Sequence, residues 1–413
     1  MTNDIYEKVR PRHARIARAH GLPKTHKEFN HIPSFRPIID TTGSPYYNIG
    51  KYISSLINPL TQNEFVLRDS FDAVERIKSI PSSLFNEGYK LVSFDVTSLF
   101  TNVPLDFTID IILDRIYDKN FFNTNIKKNT MRKLLKDICT KTAFSFNGKI
   151  FKQIDGVSMG ASLGPVLSNI FMTELEKSVI QQFIEVIKFY SRYVDDTLVL
   201  IKEEHVNVVH EALNRFHSNI KFTVDKFENE TPHFLDIEIA ADGLSIYHKE
   251  TQTGQYIHFK SNTPWMYKTA WISALVYRAK SICSSNKFSA ELKRIRKFIS
   301  WNGFPKHIGN KIITKTLEKH QRKSDQNERK QEKNDDKIVY FHLPYVGLKG
   351  EQLAKSCIRK LKKCIKKKYP FASNCCTQRT NFRTLQTIKI ELKNYNNQTL
   401  FTNSNAQVAT QIM

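Results

Sequence analysis

No apolar run in this 413-residue sequence is long enough to cross a bilayer, and the opening stretch MTNDIYEKVRPRH has no signal-peptide pattern. Both absences set aside membrane spanning and secretion, so a soluble, intracellular protein is expected. Cysteine is sparse: Cys139, Cys283, Cys357, Cys364, Cys375 and Cys376 make neither a C-x-x-C pair nor the spacing of a secreted disulfide framework. Reduced thiols are expected, and the last four with a histidine fit no common zinc-ligand pattern. No repeat marks a solenoid. Acidic residues are outnumbered, 40 Asp and Glu against 63 Lys and Arg, which gives a formal net charge of +23 and a pI near 9.6. So one-sided a balance does not suit an ordinary metabolic enzyme and implies a polyanionic partner, with nucleic acid ahead of an anionic membrane surface.

Apolar residues are plentiful enough for folding: 40% of the chain is hydrophobic, with 28 Phe and 16 Tyr. The stretch to about residue 63 is basic and poor in periodicity, and predicts loops and short strands. Phe71, Val74 and Ile77 predict a helix from Asp69 to Ile80, ended by Pro81. YKLVSFDV (89–96) reads as a buried strand, and helical patterns follow over about 106–118 and 128–141. Asn147-Gly148, inside AFSFNGKIFKQI, signals a hairpin. GVSMGASLG then leads into an apolar segment from Pro165 to about Ile187, read as one helix. FYSRYVDDTLVLI predicts strand, tight acidic turn and strand, followed by a helix over about 203–218, the strand KFTVDKF and a second hairpin around Asp242-Gly243. These elements predict an α/β or α+β unit with a mainly antiparallel sheet. From Trp265 to about Leu317 the pattern is helical and basic.

Asp195 and Asp196 stand side by side between two apolar runs, where two carboxylates repel each other and burial raises their pKa values. Asp95 ends a third apolar run, LVSFD, so neighbouring strands would bring three carboxylates to one point. Hard oxygen ligands of this kind suit Mg²⁺, and a pair of ions about 3.5–4 Å apart serves in-line phosphoryl transfer. Singly, an Asp-Asp turn or a strand-end Asp is ordinary. Joined to the basic charge, the three suit metal-assisted phosphoryl transfer.

The strings around them are more specific. Phe94-Asp95-Val96 through Phe100 resembles polymerase motif A, GVSMGASLGPVLSNIF (156–171) resembles motif B, and Tyr193-Val194-Asp195-Asp196 resembles motif C of reverse transcriptases. HGLPKTHK, FRPIID, FDVTSLFTNVPLD, QIDGVSMGASLGPVLSNIFMTELE, RYVDDT and FLDIEI are similar to reverse transcriptases of Penelope-like retroelements, a group akin to telomerase, over about 20–315 and weakly over 338–385. The resemblance implies an α+β right-hand fold of fingers, palm and helical thumb with a small basic C-terminal unit. Its divisions would be a fingers region over 1–85, a palm with part of the fingers over 86–250, a thumb-like, helix-turn-helix-like segment over 251–318, a flexible charged linker over 319–337 and a basic segment with a polar tail over 338–413.

It further implies that Asp95, Asp195 and Asp196 are catalytic and hold two Mg²⁺ ions, with Mn²⁺ as the alternative. Phe100 matches the steric gate that excludes a 2′-hydroxyl, although a lone Phe in an apolar run is also ordinary core. Gly160 would let the backbone approach the nucleotide, and Met159 stands where retroviral enzymes carry Gln. Arg36 resembles the fingers arginine that holds the triphosphate, with Lys24 assisting, and either Lys221 or Lys226 would be the motif D lysine. Lys280, Lys293, Arg294, Arg296 and Lys297 would track duplex phosphates. A closing basic helix with Arg359, Lys360, Lys362, Lys363, Lys366, Lys367 and Lys368 reads equally as an RNA anchor or a nuclear-import patch.

The expected function is therefore RNA-directed DNA polymerisation by a retrotransposon enzyme working in the nucleus, with an RNA template, a DNA or RNA primer and deoxynucleoside triphosphates as partners. No Gly-Ile-Tyr or Tyr-Ile-Gly pair follows the linker, so the GIY-YIG endonuclease of many members is not expected, and the short stretch before HGLPKTHK suggests a truncated copy. The alternatives are an RNA-templated RNA polymerase and an inactive relic that only binds nucleic acid.

Overall fold

The computed structural model describes residues 3–11, 14–24, 33–154, 156–228 and 231–324. Beyond these it describes strands over 337–344, 377–382 and 385–392 and helical positions at 352, 356, 359 and 360. The chain divides into two compact units, residues 1–253 with 281–291, and residues 254–280 with 292–413. No helix among the described residues is long and apolar enough to cross a membrane.

The first unit opens with α1 (Asn3–Val9), the antiparallel ribbon β1 (Ala17–Pro23) and β2 (Phe35–Asp40), and α2 (Tyr47–Ile57). Sequence reading expected only loops and short strands here. In α2, Ile49, Ile53 and Ile57 recur every four residues, and the last two are fully buried. Gly50 and the lack of a capping side chain at Tyr46 hid that helix. Next come α3 (Ser70–Lys78) and α4 (Ser83–Asn86). Asp69 starts α3 as expected, its carboxylate accepting from the N–H of Phe71 at 2.9 Å and of Asp72 at 3.0 Å.

β3 (Tyr89–Val96) is followed by α5 (Leu99–Asn102), α6 (Leu105–Leu113), α7 (Lys128–Thr140) and the hairpin of β4 (Ala143–Phe146) with β5 (Lys149–Lys152). That hairpin turns where expected, with Asn147 and Gly148 at φ +47° and +75°, the left-handed pair its tight turn requires. α8 (Gly164–Ser178) is shorter than the predicted helix to Ile187: a 3₁₀ turn over 180–183 intervenes and β6 (Ile187–Tyr193) begins. The apolar run continues through the break, so periodicity alone could not mark it. β7 (Asp196–Lys202), α9 (Glu203–Arg215), β8 (Phe222–Asp225), β9 (His233–Phe234), β10 (Ile237–Ala240) and β11 (Gly243–Ile246) complete the succession.

The central sheet runs β6-β7-β3-β8, all antiparallel. β3 changes partner halfway. Tyr89–Val92 pairs with β7, whereas Ser93–Val96 pairs with β8. Leu91, Val92, Ser93 and Phe94 are all buried, which explains the unbroken apolar run in β3: both faces of the strand are covered. On one face α9 packs so that the His210 ring stacks over Phe94 at 6.2 Å and its Nε2 lies 2.7 Å from the Phe222 carbonyl. Helices α5, α6, α7 and α8 share one core with the sheet.

In the second unit, α10 (Trp265–Ile282), α11 (Ser285–Trp301) and α12 (Lys306–Ser324) are continuous helices, the first two having one end in the first unit. Ile272, Val276, Ile295, Phe298, Ile299 and Ile313 form its core. The buried Asn302 side chain accepts from the Tyr256 N–H and donates to the Gly254 carbonyl, both at 2.8 Å, and so ties the irregular entering segment to the end of α11. α12 runs to Ser324, into the expected linker, whose residues 325–336 lie outside the described residues. β12 (Lys337–Pro344), β13 (Thr377–Phe382) and β14 (Leu385–Leu392) form a three-stranded sheet. Most of the expected basic helix, the four C-terminal cysteines and the polar tail lie outside the described residues, while Cys139 and Cys283 are buried free thiols.

Candidate active site

The partner change in β3 places the first carboxylate. Asp95 sits in the half of β3 that has left β7, and it opens toward solvent while Phe94 beside it is fully buried. The Ser93 hydroxyl donates to Asp95 Oδ1 at 3.1 Å. At the far end of the β6-β7 hairpin, Tyr193 pairs with Asp196, leaving Val194-Asp195 as the two-residue turn. Val194 there has φ +60°, a strained conformation for a β-branched residue that costs about 1–3 kcal/mol. The Thr197 hydroxyl joins the two halves: it donates to the Phe94 carbonyl and accepts from the Phe94 N–H, both at 2.8 Å.

Asp95, Asp195 and Asp196 consequently line one cleft of about 960 Å³, as the alternation of strands and the YVDD turn led one to expect. Arg36, reaching from β2, lines it too, together with Asp225, Phe227, His233, Leu235, Tyr247 and Lys249. Asp196 is open to the cleft along one side and closely surrounded elsewhere. Burial first, then the Asp195 and Asp95 carboxylates, push its pKa up to about 6, against the pull of Lys249 and Arg36.

Among the described residues no three His, Cys, Asp or Glu side chains are gathered tightly enough to ligate one ion. Mg²⁺ does not ask for such a cage, since one or two carboxylates suffice when water and substrate phosphate fill the other positions. Three mutually repelling carboxylates, one of them raised toward neutrality, are a donor set that a divalent cation relieves.

The other expected site residues fall in several places. Phe100, on α5, is half-buried against the core, its ring beside Gly164, and its carbonyl accepts from the Val157 N–H at 2.8 Å. It is not among the residues lining the aspartate cleft. Met159 and Gly160 lie against β2: the Met159 carbonyl accepts from the Ile39 N–H at 2.8 Å, and a Cβ on Gly160, at φ +109°, would stand 2.4 Å from the Ile39 carbonyl oxygen. The close approach that this glycine permits is thus to the protein's own β2. Lys24 follows β1, with its N–H on the Ser34 carbonyl at 2.8 Å, and does not line the cleft.

Lys221 is exposed just before β8. Lys226 pairs with Glu203 at 3.1 Å, beside Lys90, which reaches the same carboxylate at 2.9 Å. The lysine that lines the aspartate cleft, beside Arg36, is Lys249, three residues past β11, which sequence reading passed over. The ring pair of His233 and Tyr247, stacked at 4.0 Å, and Phe227 against His233 form an aromatic wall that was missed as well. Phe227 of this wall and Leu235, which also lines the cleft, have φ +51° and +57°, so strained bulky residues cluster around it. In the second unit Lys280, Lys293, Arg294, Arg296 and Lys297 are all exposed, the last four on α11 around the buried Ile295 and Phe298.

Residues 30–235 match the family model described as reverse transcriptase (RNA-dependent DNA polymerase), and residues 255–314 match that of the animal helix-turn-helix domain. No curated protein sequence matches the chain. Among solved structures, telomerase from Candida albicans in complex with a TWJ fragment of telomeric RNA is similar at 12% identity and a TM-score of 0.51, over 77% of this chain and 61% of that one. Apo telomerase from Candida tropicalis is similar at 12% identity and a TM-score of 0.44, over 73% and 62% of the two chains. The Sicinivirus 3Dpol RNA-dependent RNA polymerase is similar at 12% identity and a TM-score of 0.45, over 76% and 71%. The fold is the α+β right hand of polymerases. The chain spans about three-fifths of the length of these telomerase chains.

Proposed function

We propose that this chain, which carries a reverse transcriptase domain over 30–235 and an animal helix-turn-helix domain over 255–314, is an RNA-directed DNA polymerase. It extends a DNA or RNA primer on an RNA template with deoxynucleoside triphosphates. The observation that carries this reading is the gathering of Asp95, Asp195, Asp196 and Arg36, all within the matched 30–235, along one cleft with Lys249, which follows it.

In this mechanism Asp95, Asp195 and Asp196 would hold the divalent cations, Mg²⁺ or Mn²⁺. Bound there, such ions supply activation of the primer 3′-hydroxyl and charge neutralisation at the leaving pyrophosphate. Arg36 orients the triphosphate from the β2 side through its planar fork of donors. Lys249 adds a second positive charge facing the carboxylates. This reading assigns the sugar gate to Phe100, which stands beside Gly164 and off the aspartate cleft, and motif B to the Met159-Gly160 turn packed against β2. Lys280 and the exposed cations of α11 track duplex phosphates. The sequence strings support a Penelope-like retroelement as the source and work in the nucleus.

The test is primer extension on an RNA template by the purified full chain beside Asp195→Ala and Asp196→Ala. Extension by the wild type that both substitutions abolish is expected. A wild-type protein that binds primer–template duplex but adds no nucleotide would sink the proposal.

A further inference from the structure

Arg192 is fully buried, and so is Glu176 of α8, which accepts from its Nε and, at 3.1 Å, from its Nη2. Burying an ion pair costs several kcal/mol per charge, and an apolar pair of the same volume often stabilises a core better. Glu176 is nonetheless fully provided for: Asn63 Nδ2 donates to Oε2 at 2.6 Å and the Tyr190 hydroxyl to Oε1 at 3.3 Å. With Nε and Nη2 committed to Glu176, the third arm of the guanidinium is left over. Nη1 donates to Asn169 Oδ1 at 3.0 Å and to the Val194 carbonyl at 2.9 Å. Asn169 and Glu176 are seven residues apart on α8 and so share one face of it.

The Val194 carbonyl belongs to the strained turn, at φ +60° and immediately before Asp195. The Arg192 backbone is fixed as well, its N–H donating to the Phe65 carbonyl and its carbonyl accepting from the Leu67 N–H, both at 2.8 Å. We propose that Arg192 is a positioning residue for the polymerase reaction: anchored on Glu176, it holds the Val194 carbonyl and keeps the strained turn in the one conformation that presents Asp195 and Asp196 to the cleft. The inference rests on the polymerase reading above. A lysine can replace the charge but not the three-way fork, so Arg192→Lys separates the two roles.

The experiment measures single-nucleotide incorporation and amide hydrogen exchange on the full chain. In Arg192→Lys, kcat is expected to fall about 10- to 100-fold, as a displacement near 1 Å at the reacting groups does. The KM for deoxynucleotide and the Kd for duplex should stay within about twofold, because uniform binding is not touched. Exchange should quicken at 193–197 and not across the rest of the sheet. Adding Val194→Gly, which removes the left-handed penalty, is expected to recover about threefold or more of the missing kcat. Should Arg192→Lys not fold, Asn169→Ala, which removes only a partner of Nη1, is expected to give the same pattern at about three- to tenfold. Unchanged kcat and exchange in a folded variant, or a deficit that Val194→Gly does not relieve, overturns the positioning role. A wild type without extension activity, in which Arg192→Lys still loosens only the turn, sinks the polymerase reading while leaving the hold on the turn standing.

Discussion

The Thr197 hydroxyl takes both backbone hydrogen-bonding groups of Phe94, donating to its carbonyl and accepting from its N–H at 2.8 Å each. Because Phe94 precedes Asp95 and Thr197 follows Asp196, this one side chain fixes the spacing of two carboxylates from different strands. It does so where β3 has left β7 and the β7 ladder no longer supplies partners on that side.

Thr197→Val, equal in shape, would leave both Phe94 groups unpaired in the core and should cost about 1–3 kcal/mol for each of them. Thr197→Ser should lie much nearer the wild type. Urea unfolding of the three proteins decides; a valine variant as stable as wild type would show that the hydroxyl bridge is dispensable.

Asp196 makes stability fall with pH. Its pKa in the folded chain, about 6, is above the ordinary value of 3.8, so between these values the folded state holds a proton the unfolded state has lost. In metal-free protein this contribution is fully present below about pH 4 and declines until pH passes about 6. Asp196→Asn should flatten that part of the profile and raise Tm above pH 6, and Mg²⁺ should raise the wild-type Tm more than that of the variant. Thermal melts from pH 4 to 8, with and without Mg²⁺, test all three expectations.

Lys249, facing the aspartates, should matter more than Lys226, which is engaged by Glu203 at 3.1 Å. Lys249→Gln is expected to slow single-turnover incorporation about tenfold or more, whereas Lys226→Gln should change it by about twofold at most. The reverse order would favour Lys226, one of the two motif D candidates with Lys221, over Lys249.

Phe100→Val should admit ribonucleotides, lowering discrimination against them by about tenfold or more in kcat/KM comparisons of paired sugars. If sugar selectivity is unchanged, Phe100 is core packing beside Gly164.

Removing exposed cations of α11 should weaken duplex binding alike for all sequences. Lys293→Gln with Lys297→Gln is expected to lower the slope of log affinity against log salt by about 0.9 for each phosphate of a DNA duplex that the variant no longer neutralises. A parallel salt profile would place the duplex elsewhere.

Much of the fold was legible because local signals agreed. The apolar run YKLVSFDV, the Asn147-Gly148 turn and the YVDD hairpin each became the expected strand or turn. The three carboxylates reached one cleft for the reason the sequence suggested, as strand ends of one sheet. What stayed hidden depends on distant partners. Arg192 reads as a solvated cation in RYVDDT, since nothing local reveals Glu176 sixteen residues upstream. Lys249 and the Phe227, His233 and Tyr247 wall reach the cleft through loops and short strands without periodicity. Gly160 announced a close approach but not that Ile39 would be the neighbour.

The divided pairing of β3 also dictates an order of assembly. Its two halves bind strands that follow it by more than 100 residues, as the 103-residue separation of Phe94 and Thr197 shows, so a growing chain cannot seat Asp95 until β8 has been synthesised. Until Asp225 has emerged, half of an apolar strand waits without its edge partner, and pairing it carries the entropic cost of closing a long loop, a cost that no helix of the domain meets.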